Sequence, residues 1–446
     1  MTLHAATALH RFGLGARPGD LARVGDDPRG FLLQQIDANA PLAPIPGLMG
    51  SAEGHHIRFA FLGRKKAEAE DRALIKKAFR QAQSSNSRRW IEHVVASPNG
   101  FAERLAMFWS NHLHVPDFQK ALQPLRGGYE NDVIRAHALG RFSDLVHASS
   151  DHPAMLIYLD QVRSVGPRSR FGGRRDKGLN ENYARELLEL HTLGADGGYT
   201  QNDVTALAKL LTGWVVRSTL AHPDEAGRAS FVANRHEPGP HTVLGRTYDG
   251  RPETLKRAVI DDLARHPSTA RFIAGKFARA FVPEPAPALV ERLETSFRDT
   301  DGDLRELART LVKSDEAWTD GDDEVAAFRS PMSWTIAAAR GFPARWKAQR
   351  LRRTMNLMGQ RPWGKPEPDG WSTDGRFWFG PQALEARLKF MAENVSRVRA
   401  GSSPQEHGRA LFGSALSDAT FRTLERSATR EQGLTLLAMS PEFMTR

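Results

Sequence analysis

The chain is expected to be mainly α, a large multi-helix domain with a small β-hairpin insertion around residues 215–250. Three observations predict this. Apolar residues recur at helical spacing through most of the 446 residues. The stretch from Asn180 to Trp214 reads as an αα-hairpin, and short β-type runs appear only after it.

In the central segment, Tyr183, Ala184, Leu187, Leu188 and Leu190 cover one side of a helix, and Glu181, Asn182, Arg185, Glu186 and Glu189 the other. Arg185 is spaced i,i+4 from both Glu181 and Glu189, so one guanidinium can bridge two carboxylates. His191 falls inside the apolar arc, where an imidazole needs a hydrogen-bond partner. Gly194 stops the helix, and Thr200 with Asp203 reads as an N-cap and capping-box partner for a second helix. That helix buries Val204, Leu207, Ala208, Leu211 and Trp214.

Upstream, Ala5–Asn39 holds two short helical patterns, Ala40–Pro46 a Pro-rich loop, and Arg64–Ser97 a long basic amphipathic region. In the helix from Phe101 to Val115, Phe101, Leu105 and Phe108 lead to His112 where an aliphatic residue is expected. His114 is expected at the surface or capping a carbonyl. A basic Gly/Ser-containing loop, Arg163–Gly178, runs into the central helix. After Trp214, Val215-Val216, Phe231-Val232 and Thr242-Leu244 predict short strands around His236-Glu237. Asp303 reads as the N-cap of Leu304–Val312 rather than part of a calcium loop. Gly359–Gly380, with Trp363, Trp371 and Trp378, is expected to fold over the core as an ordered loop. The chain is read as one unit over 1–446, with a possible subdivision at 1–62, 63–330 and 331–446.

Cysteine is absent, which excludes disulfides, thiolate metal sites and cysteine nucleophiles. The net charge of +10 would favour polyanions, yet no nucleic-acid recognition module is legible and no specific nucleic acid is expected as a partner. No run approaches about 18 apolar residues, so no transmembrane segment is expected. The first residues lack the layout of a signal peptide, which as written points to the cytoplasm.

The central run Asn-Glu-Asn-x-Ala-Arg-Glu-Leu-x-Glu-Leu-x-Thr-Leu-Gly, followed by Gly-Tyr-Thr-x-x-Asp-Val and Leu-Thr-Gly-Trp, resembles the signature of the bacterial family called domain of unknown function 1800. Agreeing blocks are His10–Gly15, Phe108–Val115, His236–Gly239 with Leu244-Gly245, Gly359-Gln360 before Gly370-Trp371, and Ser440–Phe443. The chain departs from that pattern at Glu237, where the family shows Asp, and at His241, where it shows Lys. The resemblance implies a fold and no established activity. It also implies a neighbouring, exported, sulfatase-like protein as partner, and export by association with it.

Where chemistry would reside is read from the polar anomalies. His112, His191, His236 and Glu237 form a candidate site for a divalent metal, because neutral imidazoles plus one carboxylate with an open position suit zinc, manganese or iron. Around it, Glu186 and Glu189 are candidate acid–base or orienting groups with Arg185 beside them, and Arg168, Arg170, Arg174 and Arg175 would hold a substrate anion. The competing reading is that His112 and His191 each bind a backbone carbonyl or a buried Glu–Arg pair and set helix register. Two functions follow: a scaffold or binding partner of a neighbouring protein, or a metal-assisted hydrolase-like enzyme on an anionic or polysaccharide-type substrate. Catalysis, substrate and oligomeric state are left open by the sequence.

Overall fold

A computed structural model of the chain describes residues 3–37, 40–175, 178–218, 221–319, 325–399 and 401–446. It is built of helices from end to end, with two two-stranded antiparallel sheets. Trp214–Val215 pairs with Ser230–Phe231, and His241–Val243 with Arg246–Tyr248. The second pair turns at Leu244 and Gly245, both at positive φ (50° and 77°), as a tight two-residue hairpin requires. The β-insertion therefore lies where the β-type runs fall, as two small sheets. One contiguous apolar core joins side chains from Ala5 to Met444. No helix among the described residues is long and apolar enough to cross a membrane.

The helix starts follow local chemistry. Thr200 and Asp203 form a reciprocal capping box on Gln201–Leu210, each side chain accepting from the other's backbone N–H. The second Asp203 oxygen accepts from Leu244 N–H at 2.7 Å, so one carboxylate starts a helix and holds the hairpin turn. Asp303 accepts from Arg305 and Glu306 N–H and caps Leu304–Lys313.

The central helix departs from the uniform 100° reading. Asn182–Glu186 is α-helical, and Leu187–Thr192 then widens into a π-helical turn. Leu193 N–H accordingly reaches back to Leu188 O at 2.8 Å, and Thr192 Oγ1 to Leu187 O at 2.6 Å. Two more π-helical stretches, Ala8–Phe12 and Tyr129–Arg135, also carry buried polar residues: His10 and Arg11 in one, Glu130 and Arg135 in the other.

Helix ends in the interior are closed by buried arginines. The helices Ala69–Ala96 and Pro331–Gly341 meet where Arg340, on the second, donates to Val94 O, Val95 O, Ser97 O (2.7 Å) and Gly15 O. Arg104 donates to Ala280 O at 2.8 Å, at the end of helix Pro267–Phe281. Arg11 reaches Ala317 O and Thr319 O. Where carboxylates are buried they are paired: Arg126 with Glu130 at 3.0 Å, and Glu103 with Arg135 at 2.7 Å and His93 at 2.9 Å. Burial alone would push the Glu103 carboxyl up, but its hydrogen bonds to His93 and Arg135 outweigh that and hold it at about 2.

Replacing Arg340 by Met would strand carbonyls from three segments in the interior. Chemical denaturation should register a loss of about 2–4 kcal/mol. The exposed control Arg345→Met should stay within about 0.5 kcal/mol. Equal midpoints for the two variants would refute the capping role.

Candidate functional site

The interior polar centre forms where helix Gly100–His112 meets the π-helical turn and helix Pro267–Phe281. His112, 1 % exposed, donates from Nε2 to the carbonyl of His191 at 3.1 Å. Its Nδ1 accepts from Lys276 Nζ at 3.3 Å. Rings of Phe108, Trp109, Phe142 and Phe272 surround the imidazole. Burial first, then the Lys276 charge, holds both His112 and His191 far below the ordinary imidazole range, His191 at about 3. His191 is 2 % exposed, and its Nε2 has no hydrogen-bond partner among the described residues.

The four groups expected to share a metal do not gather. His112 meets His191 through that residue's carbonyl, whereas His236 turns its Nδ1 to Thr212 O at 3.0 Å. Glu237, fully buried, accepts from Arg168 twice, from the backbone N–H at 2.8 Å and from Nε at 2.7 Å. Its own N–H binds Thr212 Oγ1. Among the described residues no three His, Asp or Glu side chains are arranged to hold a metal ion.

Arg168 is consequently committed to a clasp. The basic loop is strapped to residues 234–238 by Gly166 N–H to Arg235 O and Phe171 N–H to Asn234 O, both 2.9 Å. Gly166 permits this approach, since a Cβ there would lie 2.5 Å from Glu237 backbone atoms. Arg170 is exposed. The side chains of Arg174 and Arg175 lie outside the described residues.

On the polar face, Arg185 reaches Gln201 at 2.7 Å and Glu181 at 3.6 Å. Glu189 instead accepts from Tyr199 OH at 3.1 Å, so the expected Arg185 ladder is drawn across to the neighbouring helix. Glu186 is half-buried, and desolvation followed by the Glu189 charge raises its pKa above the ordinary range.

Sequence reasoning missed Lys276. Burial lowers its ammonium to about 8, although Asp369 works against that shift. Its signal was present: a lysine between Ile273 and Phe277 on an otherwise apolar helix face. The segment Lys365–Trp371 lies within the loop expected to fold over the core, but its partners were not foreseen. It accepts His114 Nε2 at Lys365 O (2.9 Å), takes Tyr158 OH at Pro366 O (2.6 Å), and pairs Trp371 with the Asn111 amide through both backbone groups. His114, expected at the surface or on a carbonyl, is 2 % exposed and does bind one. Gly370, at φ 74°, lies so close that a Cβ would sit 2.3 Å from Asn111 O.

A serine, a histidine and an aspartate also meet, in the order His152, Ser51, Asp132. The hydrogen-bond directions do not make the histidine the base for the serine. His152 Nδ1 accepts from Ala154 N–H and burial keeps the ring neutral, so Nε2 carries the proton and donates to Ser51 Oγ. The serine then gives its own proton to Asp132. A base that already holds its proton cannot activate that hydroxyl.

Fold and site together define a mainly α protein whose interior imidazoles and arginines bind backbone carbonyls, with a buried lysine on one of the imidazoles. A family described as "Protein of unknown function (DUF1800)" matches residues 7–445, and the chain belongs to that family. No curated protein and no solved structure matches the chain.

Two outcomes test this geometry. His10, His152 and His191 are each held neutral by burial down to about 3, while the unfolded chain protonates them below pH 6.5. The unfolded state then binds more protons, so stability falls on acidification through that window, by about 1.4 kcal/mol per pH unit per histidine. Urea midpoints that stay level from about pH 6.5 to 4.5 would contradict it. Separately, Gly166→Ala should open the Arg168–Glu237 clasp and speed tryptic cleavage within 163–175 several-fold, leaving the remaining fragments intact.

Proposed function

We propose that the protein is a helical scaffold that binds a neighbouring protein and does not turn over a substrate at a metal centre. One observation carries the reading: two of the four expected metal ligands, His112 and Glu237, already have their ligating atoms committed to the framework. His112 uses both ring nitrogens, on His191 O and on Lys276, and the carboxylate of Glu237 is taken by Arg168. Detaching any of them would release a helix end or the clasped loop. The resemblance to a family associated with exported neighbours supplies the partner class.

A second reading, a hydrolase-like enzyme, is favoured by one arrangement. Burial lowers Lys276 to about 8 and raises Glu186, with the Glu189 charge adding to the latter, and Asp369 acts on both, which places a buried ammonium and a desolvated carboxyl in one field. In that reading His191, whose buried Nε2 has no partner among the described residues, lies within the field of the Lys276 charge.

Elemental analysis of the purified protein, with thermal unfolding in the presence and absence of chelator, separates the readings. The scaffold predicts no stoichiometric zinc, manganese or iron and the same midpoint with chelator. It also predicts that Lys276→Met, once shown to be folded, keeps cellular function. Stoichiometric metal lost on His236→Ala, or a folded Lys276→Met protein that has lost function, would move the assignment to the enzyme.

A further inference from the structure

Away from the central hairpin, helix Ala69–Ala96 packs against helix Ala348–Leu357 and leaves a cavity of about 310 Å³ between them. Four guanidiniums line it: Arg88 from the first helix, Arg352 and Arg353 from the second, and Arg361 just beyond. Among the described residues, no carboxylate is part of its wall. Asp117, outside the lining, stands 3.0 Å from Arg361 and 3.8 Å from Arg352. Four guanidiniums in a wall without a carboxylate give the cavity a positive character that an anion between the two helices would offset.

Two buried donors point to what is missing. Ser87, 2 % exposed, also lines the cavity, and its Oγ has no hydrogen-bond partner among the described residues. The Nε of Arg352 is likewise buried without one. A buried hydroxyl and a guanidinium edge left unpaired are destabilising unless a ligand atom meets them.

We propose that this cavity is a binding site for a small phosphate or sulfate ester. Guanidinium forks and a hydroxyl match the several oxygens of a tetrahedral oxyanion, and paired donors of this kind bind it more firmly than single ammonium groups. The volume is at the lower end of small-molecule pockets, which suits an ester with a compact organic part rather than a bare ion. The inference does not rest on the scaffold reading, because neither Lys276 nor any group of the central hairpin takes part.

Isothermal titration of the full chain with glucose 6-phosphate, glucose 6-sulfate, inorganic phosphate and glucose tests it. Saturable binding of at least one ester is expected, tighter than inorganic phosphate, with none for glucose; the better ester identifies the natural head group. Arg88→Gln and Arg353→Gln, both at exposed positions, should fold normally and weaken binding about tenfold each. Ser87→Ala should weaken it several-fold. Absence of saturable binding for both esters, inorganic phosphate bound as tightly as they are, or affinity unchanged in both arginine variants would overturn the proposal.

Discussion

Buried guanidinium groups closing helix ends are the constraint on which this structure depends. A bundle of many short helices brings C-terminal carbonyls into the interior wherever one helix abuts another, and those groups have no partner within their own helix. Arg340, Arg104 and Arg11 supply donors across segments far apart in sequence: Arg340 alone ties the N-terminal region, the end of helix Ala69–Ala96 and helix Pro331–Gly341. Arg387 does the same for a non-helical segment, donating to Arg329 O at 2.6 Å. A guanidinium suits this work because its five donors spread in a rigid fork and one side chain reaches several acceptors. Part of the excess of basic residues is therefore internal and says little about external partners.

The imidazoles obey the same rule on a smaller scale. His10 binds Leu411 O, His112 binds His191 O, His114 binds Lys365 O and His407 binds Gly341 O. Each is the donor that a helix end or strap requires, and burial keeps the ring neutral so that its second nitrogen remains an acceptor. Arg329 exploits that on His10, and Lys276 on His112. The π-helical turn at Leu187–Thr192 belongs to this pattern: widening the helix by one residue per turn frees a carbonyl and presents His191 O to the neighbouring ring.

Elements governed by neighbours in sequence were legible. The capping box of Thr200 and Asp203, the Asp303 N-cap and the interruption of helices by short strands all depend on residues within a few positions of one another. His112 and His191 were legible as anomalies, because an imidazole on an apolar face stands out against the 3.6-residue repeat. That the ring of one binds the backbone of the other is a matter of how the helices pack. Glu237 stood out as a carboxylate beside a histidine, and only the close approach allowed by Gly166 reveals that Arg168 claims it.

The sequence by itself determined the helical class, the position of the β-insertion, the main capping residues and the presence of unusual buried histidines. These follow from periodicity and short-range hydrogen bonding, which neighbouring residues specify. Tertiary structure decided which donor meets which acceptor: Lys276 on His112, Arg168 on Glu237, the Lys365–Trp371 strap over His114, and four arginines around one cavity. Such partners lie up to hundreds of residues apart and are selected by the packing of whole helices, a geometry that local spacing does not encode.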